Sequence, residues 1–173
     1  DEMLNCGLHV INIFAVKGSY LERELSGRGI SFETIENKQW LVQRLQETEF
    51  DYFVSNGLPI ILPVNKLTGS THRQFINIHP SCLPDLRGID PVPGSLLYGK
   101  SSGATCHFMN DEIDGGDIIA RVEIPYTEDI DCGLLYQLSF IAEREAFKSA
   151  LRNNFKGRYS QQLRDTDIYY NLK

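Results

Sequence analysis

The stretch Phe75-Ile76-Asn77-Ile78-His79-Pro80-Ser81 carries the signal that decides the fold. Its first residues are apolar and favour a β-strand, and Pro80 biases His79 toward an extended backbone. Side chains two apart in a strand point to the same face, so Asn77 and His79 share a face while Ile78 turns into the core. Open α/β sheets bind ligands at the C-terminal ends of their strands. We therefore expect a ligand site where this strand ends.

A second polar segment, Asp114-Gly115-Gly116, lies downstream and adds a carboxylate to this amide and imidazole. Such a set can donate to a substrate oxygen and move a proton. The two glycines permit a positive φ or a close approach of a ligand to the backbone. Taken singly, each residue also fits a structural role, such as a turn asparagine or a hairpin turn. Together they indicate one active site.

Upstream of this stretch, apolar runs and capping residues predict alternating strands and helices. Residues 8–16 are almost continuously apolar, as in a parallel strand covered on both faces. Ser19 and Glu22 have the capping-box spacing, and Asn37 is a second candidate cap. We predict a strand over 8–16, a helix between Ser19 and Gly29, a strand over 30–35, a helix from Asn37 through Glu49, with Trp40, Leu41 and Leu45 on its inner side, and a strand over 50–55.

The second half of the chain continues the α/β pattern. Pro59 and Pro63 bracket an apolar segment that cannot be a regular central strand, so we expect a loop or a short helix there. No repeat or linker indicates an internal boundary, and we treat residues 1–173 as a single domain. We predict the strand ending at His79, a loop through Pro91 and Pro93, a helix over Ser95–Tyr98, paired strands over 104–109 and 118–124, and a final helix capped by Asp131 with the stripe Leu135, Leu138, Ala142, Ala146 and Ala150.

The composition is that of a soluble globular protein, with 42% hydrophobic and 23% charged residues. No apolar run is long enough to cross a membrane, and the first residues lack the basic segment of a signal peptide, so we expect a cytoplasmic protein. The net charge of −6 argues against a nucleic-acid partner. Four cysteines lie far apart without CxxC spacing, which favours free thiols and indicates no metal site: Cys6, Cys82, Cys106 and Cys132.

Two blocks, residues 75–88 (FINIHPSCLPDLRG) and 103–119 (GATCHFMNDEIDGGDII), resemble the catalytic core of the folate-dependent formyltransferases. That family moves a formyl group from 10-formyltetrahydrofolate to an amine. The resemblance implies an α/β fold with a Rossmann-like, doubly wound and mostly parallel sheet and flanking helices. The family begins with a strand and a helix before the segment equivalent to 8–16, so we expect this first unit to be missing or rebuilt.

By this resemblance Asn77, His79 and Asp114 are the catalytic residues. Formyl transfer needs donors for a developing oxyanion and a group that removes a proton from the amine. Asn77 and a protonated His79 would stabilise the oxyanion, while Asp114 would orient the imidazole and raise its pKa through opposite charge. We interpret His107 as an ordinary sheet residue.

The resemblance also implies where the cosubstrate 10-formyltetrahydrofolate binds. An apolar wall upstream would pack against the pterin ring, and the backbone downstream would pair with its polar edge. The alternative for the upstream segment is ordinary core. The residues concerned are Leu58, Pro59, Ile60 and Leu62 in the wall, and Met109, Asn110, Asp111 and Ile113 in the loop.

The acceptor follows less directly. Leu-Pro-x-x-Arg-Gly at 83–88 resembles the tRNA and sugar enzymes of the family, and Gly116-Asp117 resembles the sugar enzymes. In this family the tRNA enzymes add a C-terminal domain, which we expect this protein to lack. We predict a nucleotide-linked amino sugar as acceptor, with Ser81 and Arg87 contacting it. Phosphoribosylglycinamide of purine biosynthesis and a folate-binding protein without turnover are the alternatives, and a homodimer is left open.

Two patterns at residues 94–103 suggest other chemistry. Residues 94–101 match the P-loop pattern, and residues 99–103 match the nucleophile elbow of hydrolases. Both need a buried strand that leads through the motif into a helix. Because prolines precede the first pattern and no suitable histidine follows the second, we assign neither function. Cys82 is interpreted as a buried filler rather than a nucleophile.

Overall fold

A computed structural model describes residues 7–69, 72–127, 129–157 and 159–161, together with the backbone of one short strand at 169–170. These residues form a layered α/β arrangement whose helices and strands largely alternate. In chain order the elements are β1 (Phe14–Val16), α1 (Tyr20–Gly27), β2 (Glu33–Ile35), α2 (Lys38–Glu47), β3 (Tyr52–Asn56), α3 (Val64–Thr68), β4 (Gln74–His79), β5 (Arg87–Gly88), α4 (Pro91–Tyr98), β6 (Ser102–Phe108), β7 (Ile118–Ile124), α5 (Cys132–Arg152) and β8 (Tyr169–Tyr170).

The largest sheet has the strand order β3-β4-β6-β7. Strand β3 pairs parallel to β4, whereas β6 runs antiparallel to both β4 and β7. Two further parallel pairs join β1 to β2 and β5 to β8. The predicted α/β class with flanking helices is confirmed. The largest sheet is mixed, because β6 and β7, which were predicted as paired strands, form an antiparallel hairpin and β6 also runs antiparallel to β4.

Alternation along β4 directs its side chains into two separate cores. Ile76 and Ile78 pack in one cluster with the alanine stripe of α5, including Ala142 and Ala146. Phe75 lies in a second cluster with Leu41, Leu45 and Leu62. Because successive residues face opposite sides, the polar side chains of Asn77 and His79 follow Phe75 on the face away from α5.

The predicted caps of three helices are confirmed. The Ser19 hydroxyl accepts a hydrogen bond from the Glu22 N–H at 3.1 Å, and Asn37 accepts one from the Trp40 N–H at 2.9 Å. Asp131 caps α5 in the same way, through the N–H of Leu134 at 3.1 Å. Each oxygen satisfies an N–H that has no partner within its own helix.

Several predicted boundaries are wrong; the strand predicted over 30–35, for example, begins only at Glu33. Residues 8–13 are not a strand; Ile11 is 61% exposed, since only Phe14–Val16 finds a partner strand in β2. Helix α4 begins at Pro91, where a loop was predicted, because a proline at the first helical position loses no hydrogen bond. The segment between Pro59 and Pro63 is irregular, as predicted. Among the described residues, no helix is both long and apolar enough to cross a bilayer.

The cysteines behave as predicted wherever the structure describes them. Cys82, Cys106 and Cys132 are free thiols, and Cys6 lies outside the described residues. Burial raises the pKa of Cys82 to about 11 and that of Cys106 to about 12. A thiol that stays protonated is a poor nucleophile, which agrees with the interpretation of Cys82 as a filler.

Candidate active site

The structure brings Asn77, His79 and Asp114 together at the C-terminal end of β4. Asn77 Nδ2 donates to Asp114 Oδ1 at 3.3 Å, and His79 Nδ1 lies 3.5 Å from Asp114 Oδ2. Asp114 comes from the turn between β6 and β7, so two segments distant in sequence meet at one strand end. Their catalytic role remains a prediction, but the expected proximity is present.

The backbone holds the Asp114 carboxylate rigidly. Asp114 itself has a φ of 49°, in the left-handed region. A Cβ on Gly116 would lie 1.9 Å from the Phe108 carbonyl oxygen, so only glycine lets the turn pack this closely on β6. The Gly88 N–H then donates to Asp114 Oδ2 at 2.9 Å. The carboxylate is therefore fixed from the β5 side as well as through its own turn.

His107, interpreted from sequence as an ordinary sheet residue, is a fourth member of the cluster. Cross-strand pairing places it opposite Asn77, and it is 1% exposed. Its Nδ1 donates to the Phe108 carbonyl oxygen at 2.8 Å, because a carbonyl can only accept. Its Nε2 faces Asn77 Nδ2 at 3.4 Å and Asp114 Oδ1 at 3.5 Å. The register between β4 and β6 was the signal needed to find it.

His79 is buried, with 5% of its surface exposed, and both ring nitrogens face fixed acceptors. Nε2 donates to the Leu86 carbonyl oxygen at 2.9 Å. Leu86 adopts a φ of 59°, and this turns the loop after β4 back over the imidazole. Nδ1 is then the nitrogen that can gain or lose a proton, and it points toward the Asp114 carboxylate.

The charges at the site differ from the prediction for His79. Burial lowers the pKa of His79 and outweighs the opposing effects of the Asp114 charge and the Leu86 hydrogen bond. The predicted net rise in the pKa of this histidine is therefore wrong. Burial by itself raises the pKa of Asp114, but His107, His79 and the Gly88 N–H together hold that pKa well below its usual range. An uncharged imidazole beside a carboxylate is the form favoured at neutral pH.

The two segments predicted to bind folate also lie together. Leu58, Ile60 and Met109 are partly buried and pack on the same apolar cluster as Leu62. Leu62 is only 2% exposed, so it supports this wall from inside, and its direct contact with folate stays a prediction. Pro59 is exposed beside them.

The loop after β6 is tied to α3. Both carboxylate oxygens of Asp111 accept from Asn65, one from its N–H at 3.1 Å and one from Nδ2 at 2.7 Å. Asn110 Oδ1 accepts from the Glu112 N–H at 2.9 Å, and Ile113 is partly buried. The apolar wall and the loop after β6 thus meet at Met109, which packs on the same cluster as Leu58 and Ile60.

Ser81 and Arg87, the predicted contacts of the acceptor, have structural partners. Ser81 is 1% exposed, and its hydroxyl donates to the Asp85 carbonyl oxygen at 2.9 Å. Arg87 donates to the Ile113 carbonyl oxygen at 3.3 Å and lies 3.5 Å from Glu112. Its Nε is buried and has no hydrogen-bond partner among the described residues. Both side chains therefore brace the loops of the site, and a role in binding substrate stays a prediction.

Residues 94–101 do not form a P-loop. Gly94 lies inside α4, Gly99 ends that helix, and β6 follows directly. Neither this stretch nor residues 99–103 has the strand-to-helix context that its motif requires. The cluster around Asp114 is therefore the best candidate active site.

Comparison with known proteins identifies the family. A family model described as "Formyl transferase" matches residues 22–151. A methionyl-tRNA formyltransferase of Bacillus subtilis (strain 168) is 30% identical over 127 residues, covering 73% of this chain and 40% of the relative. The chain therefore spans about two fifths of the length of that curated relative.

Solved structures share the fold. Phosphoribosylglycinamide formyltransferase from Streptococcus pneumoniae TIGR4 has a TM-score of 0.73 at 20% identity, covering 90% of this chain and 91% of that one. The formyltransferase PseJ from Anoxybacillus kamchatkensis, in complex with UDP-4,6-dideoxy-4-formamido-L-AltNAc and tetrahydrofolate, has a TM-score of 0.65 at 22% identity, covering 93% and 86%. With the family model matching most of its length, this chain belongs to the formyl transferase family.

Proposed function

We propose that this protein transfers a formyl group from 10-formyltetrahydrofolate to a primary amine, and that the acceptor is the amino group of a nucleotide-linked amino sugar. The observation that carries the proposal is the cluster of Asn77, His79, His107 and Asp114 at the end of β4. It combines an amide donor and a proton-accepting imidazole with an ionised carboxylate in a largely buried place, as formyl transfer requires.

The reaction exchanges one carbon–nitrogen bond for another. The acceptor nitrogen bonds to the formyl carbon, and the bond from that carbon to N10 of the folate breaks. One proton leaves the acceptor nitrogen, and N10 takes up one proton. The protein must therefore stabilise a transient oxyanion and hold a proton between the two nitrogens.

Asn77 is the proposed donor to the oxyanion. Its Nδ2 carries two hydrogens, directed at Asp114 Oδ1 at 3.3 Å and at His107 Nε2 at 3.4 Å. An anionic oxygen is a stronger hydrogen-bond acceptor than a ring nitrogen. It would take over the hydrogen directed at His107 and leave the bond to Asp114 in place.

His79 and Asp114 act as the proposed proton acceptor pair. Because burial lowers the pKa of His79, its imidazole is uncharged and Nδ1 can accept a proton. The Asp114 carboxylate at 3.5 Å then stabilises the imidazolium that forms. In this proposal His79 is uncharged at the start and gains its proton during the reaction, because burial of the ring lowers its pKa.

The surface formed by Leu58, Ile60 and Met109 fits the flat ring of the cosubstrate. These side chains are partly exposed on a packed cluster, so they offer an apolar face whose shape is already fixed. The cosubstrate supplies the formyl group, and the wall and the loop after β6 would orient it toward Asn77. A polar substitution in the wall leaves an unpaired group against the ring.

The acceptor is proposed from local charge and sequence pattern. A nucleotide sugar carries phosphates, and Arg87 is a fixed cation beside the catalytic turn whose buried Nε has no partner among the described residues. Guanidinium groups bind phosphate oxygens well. The second candidate is methionyl-tRNA, favoured by the 30% identity to an enzyme of that name. The net charge of −6 argues against it.

Two alternatives to this proposal remain. The acceptor would be phosphoribosylglycinamide of purine biosynthesis, or the protein would bind folate without turnover. Incubating the protein with 10-formyltetrahydrofolate and each acceptor, and measuring tetrahydrofolate release and acceptor mass, separates all of these. We expect formylation of dTDP- or UDP-linked amino sugars. Formylation of phosphoribosylglycinamide or methionyl-tRNA alone would refute the proposed amino-sugar acceptor, while formyl transfer from 10-formyltetrahydrofolate would stand. If the protein binds folate but formylates none of these acceptors, it is a folate-binding protein without turnover.

Arg87 gives a second test of the acceptor. R87A should raise KM for the sugar nucleotide at least about tenfold, the effect of losing one charge-assisted hydrogen bond to phosphate. The matched control is R28A, since Arg28 is an exposed arginine just after α1 that pairs with Glu24. An unchanged KM in a folded R87A protein would show that Arg87 only braces the loop.

A further inference from the structure

The chain returns to the catalytic turn after α5. Tyr159 forms an antiparallel bridge with Ile118 at the start of β7, with both N–H to O distances at 2.9 Å. Two residues later, Gln161 Nε2 donates to the carbonyl oxygens of Asp114 at 3.1 Å and of Gly116 at 2.6 Å. Gln161 lies beyond residues 22–151, the part that the family model matches.

One amide thus bridges two carbonyl groups that flank Gly115. The turn needs such a clamp, because Asp114 has a φ of 49°, a backbone conformation that costs a non-glycine residue about 1 kcal/mol or more. With both hydrogens of Nε2 used, the peptide plane before Gly115 and the one after Gly116 are held in one orientation. The direction of the Asp114 side chain follows from that orientation.

A second contact acts on the same residue from the other side. Strand β8 pairs parallel to β5, where Gly88 lies. The Gly88 N–H is the donor that holds Asp114 Oδ2 at 2.9 Å. The segment after α5 therefore supports the backbone of Asp114 directly through Gln161, and lies beside the strand that holds its carboxylate.

We propose that Gln161 is a positioning residue, which clamps the turn at residues 114–116 and thereby sets the Asp114 carboxylate against His79 and His107. The catalytic meaning of this clamp rests on the proposed function. The placement of the Asp114 carboxylate is independent of the proposed function, since it involves only groups of this chain.

Loss of the clamp has a defined electrostatic consequence. The titratable groups facing the Asp114 carboxylate are His79 and His107, and both help to lower its pKa. If the turn relaxes and the carboxylate moves away, the pKa of Asp114 rises toward its ordinary value. His79 at the same time loses the charge that opposes its burial, so its pKa falls further. A residue that only stabilised the fold would leave both values unchanged in the folded protein.

The test is an NMR titration of the Asp114 carboxyl carbon and of the His79 and His107 ring nitrogens. Q161L keeps the approximate size of the side chain and removes the donor without adding a charge, while Q161A removes the side chain. We expect Asp114 to titrate at least about one pH unit higher in both variants, and His79 lower. The matched control is Q43A, because Gln43 is an exposed glutamine of α2 that bonds Glu47, far from the turn in sequence.

Unchanged titrations of Asp114 and His79 in folded Q161A would overturn the proposal. If neither variant folds, Q161N decides, since its shorter and uncharged amide cannot span both carbonyl groups; displaced titrations in folded Q161N support the clamp and native ones refute it. Formyl transfer gives a separate readout, with a lower kcat and a nearly unchanged KM for the acceptor expected in Q161A. A wild-type protein without transferase activity would refute the proposed function and leave the titration result standing.

Discussion

Replacing Asp114 by asparagine tests the proposed chemistry most directly. The amide has the shape of the carboxylate and can still accept from the Gly88 N–H, so the turn keeps a partner at 2.9 Å. What D114N removes is the negative charge 3.5 Å from His79 Nδ1. We therefore expect a folded protein in which the imidazolium that forms during transfer is no longer stabilised.

The size of the effect follows from this distance. Two unit charges 3.5 Å apart attract by about 5 kcal/mol when the effective dielectric constant is about 20. The Asp114 side chain is 12% exposed, so water screens little of this attraction. The asparagine dipole replaces part of it, which leaves a loss of about 3 to 4 kcal/mol. Since about 1.4 kcal/mol is a factor of ten in rate, kcat should fall between a hundredfold and a thousandfold.

The assay is release of tetrahydrofolate from 10-formyltetrahydrofolate in the presence of the amine acceptor found with wild type. Thermal unfolding of the same samples shows whether D114N is folded. D51N is the matched control, because Asp51 is an exposed carboxylate just before β3, at the opposite end of the sheet, and it should keep wild-type turnover. Turnover of folded D114N within tenfold of wild type would refute the assigned role of the charge.

Three further predictions concern the wall, the turn and the pH dependence of stability. I60D should weaken binding of a non-hydrolysable folate at least about tenfold in a calorimetric titration, because it places an unpaired carboxylate against the ring. G116A should lower the free energy of unfolding in urea by about 3 kcal/mol or more, since its methyl group would overlap the Phe108 carbonyl oxygen. Wild type should lose stability as the pH falls below about 6.5, since an unfolded His79 takes up a proton that the folded one resists, and H79Q should not show this loss.

Each of these predictions has its own control or refuting result. I61D is matched to I60D, since Ile61 is the exposed neighbour in the same segment, and equal affinities of I60D and I61D for folate would exclude the wall. G27A places a methyl group in open space at the end of α1 and should cost little stability. A pH profile of H79Q parallel to that of wild type would contradict the depressed pKa of His79.

Local signals explain why much of the fold could be predicted. The caps at Ser19, Asn37 and Asp131 depend on residues three positions apart, so the sequence contains everything needed to place these helix starts. The same holds for β4, where the alternation of side chains puts Phe75 and Ile76 on opposite faces and places Asn77 on the face of Phe75. The predicted strand boundary was wrong at residues 8–13, because a segment becomes a strand only where a partner strand pairs with it, and local sequence does not show where that partner lies.

The sequence by itself determined the order of the elements, the polar end of β4 and the likeness to the formyltransferases. Only the tertiary structure decided that His107 lies beside Asn77 and that Gln161 clamps the turn of Asp114, because these contacts depend on register and chain return over 30 to 47 residues. The protonation of His79 is the clearest case. Its neighbour Asp114 was predictable from motif, but the depth at which the folded chain buries the ring was not, and desolvation outweighs the neighbouring charge.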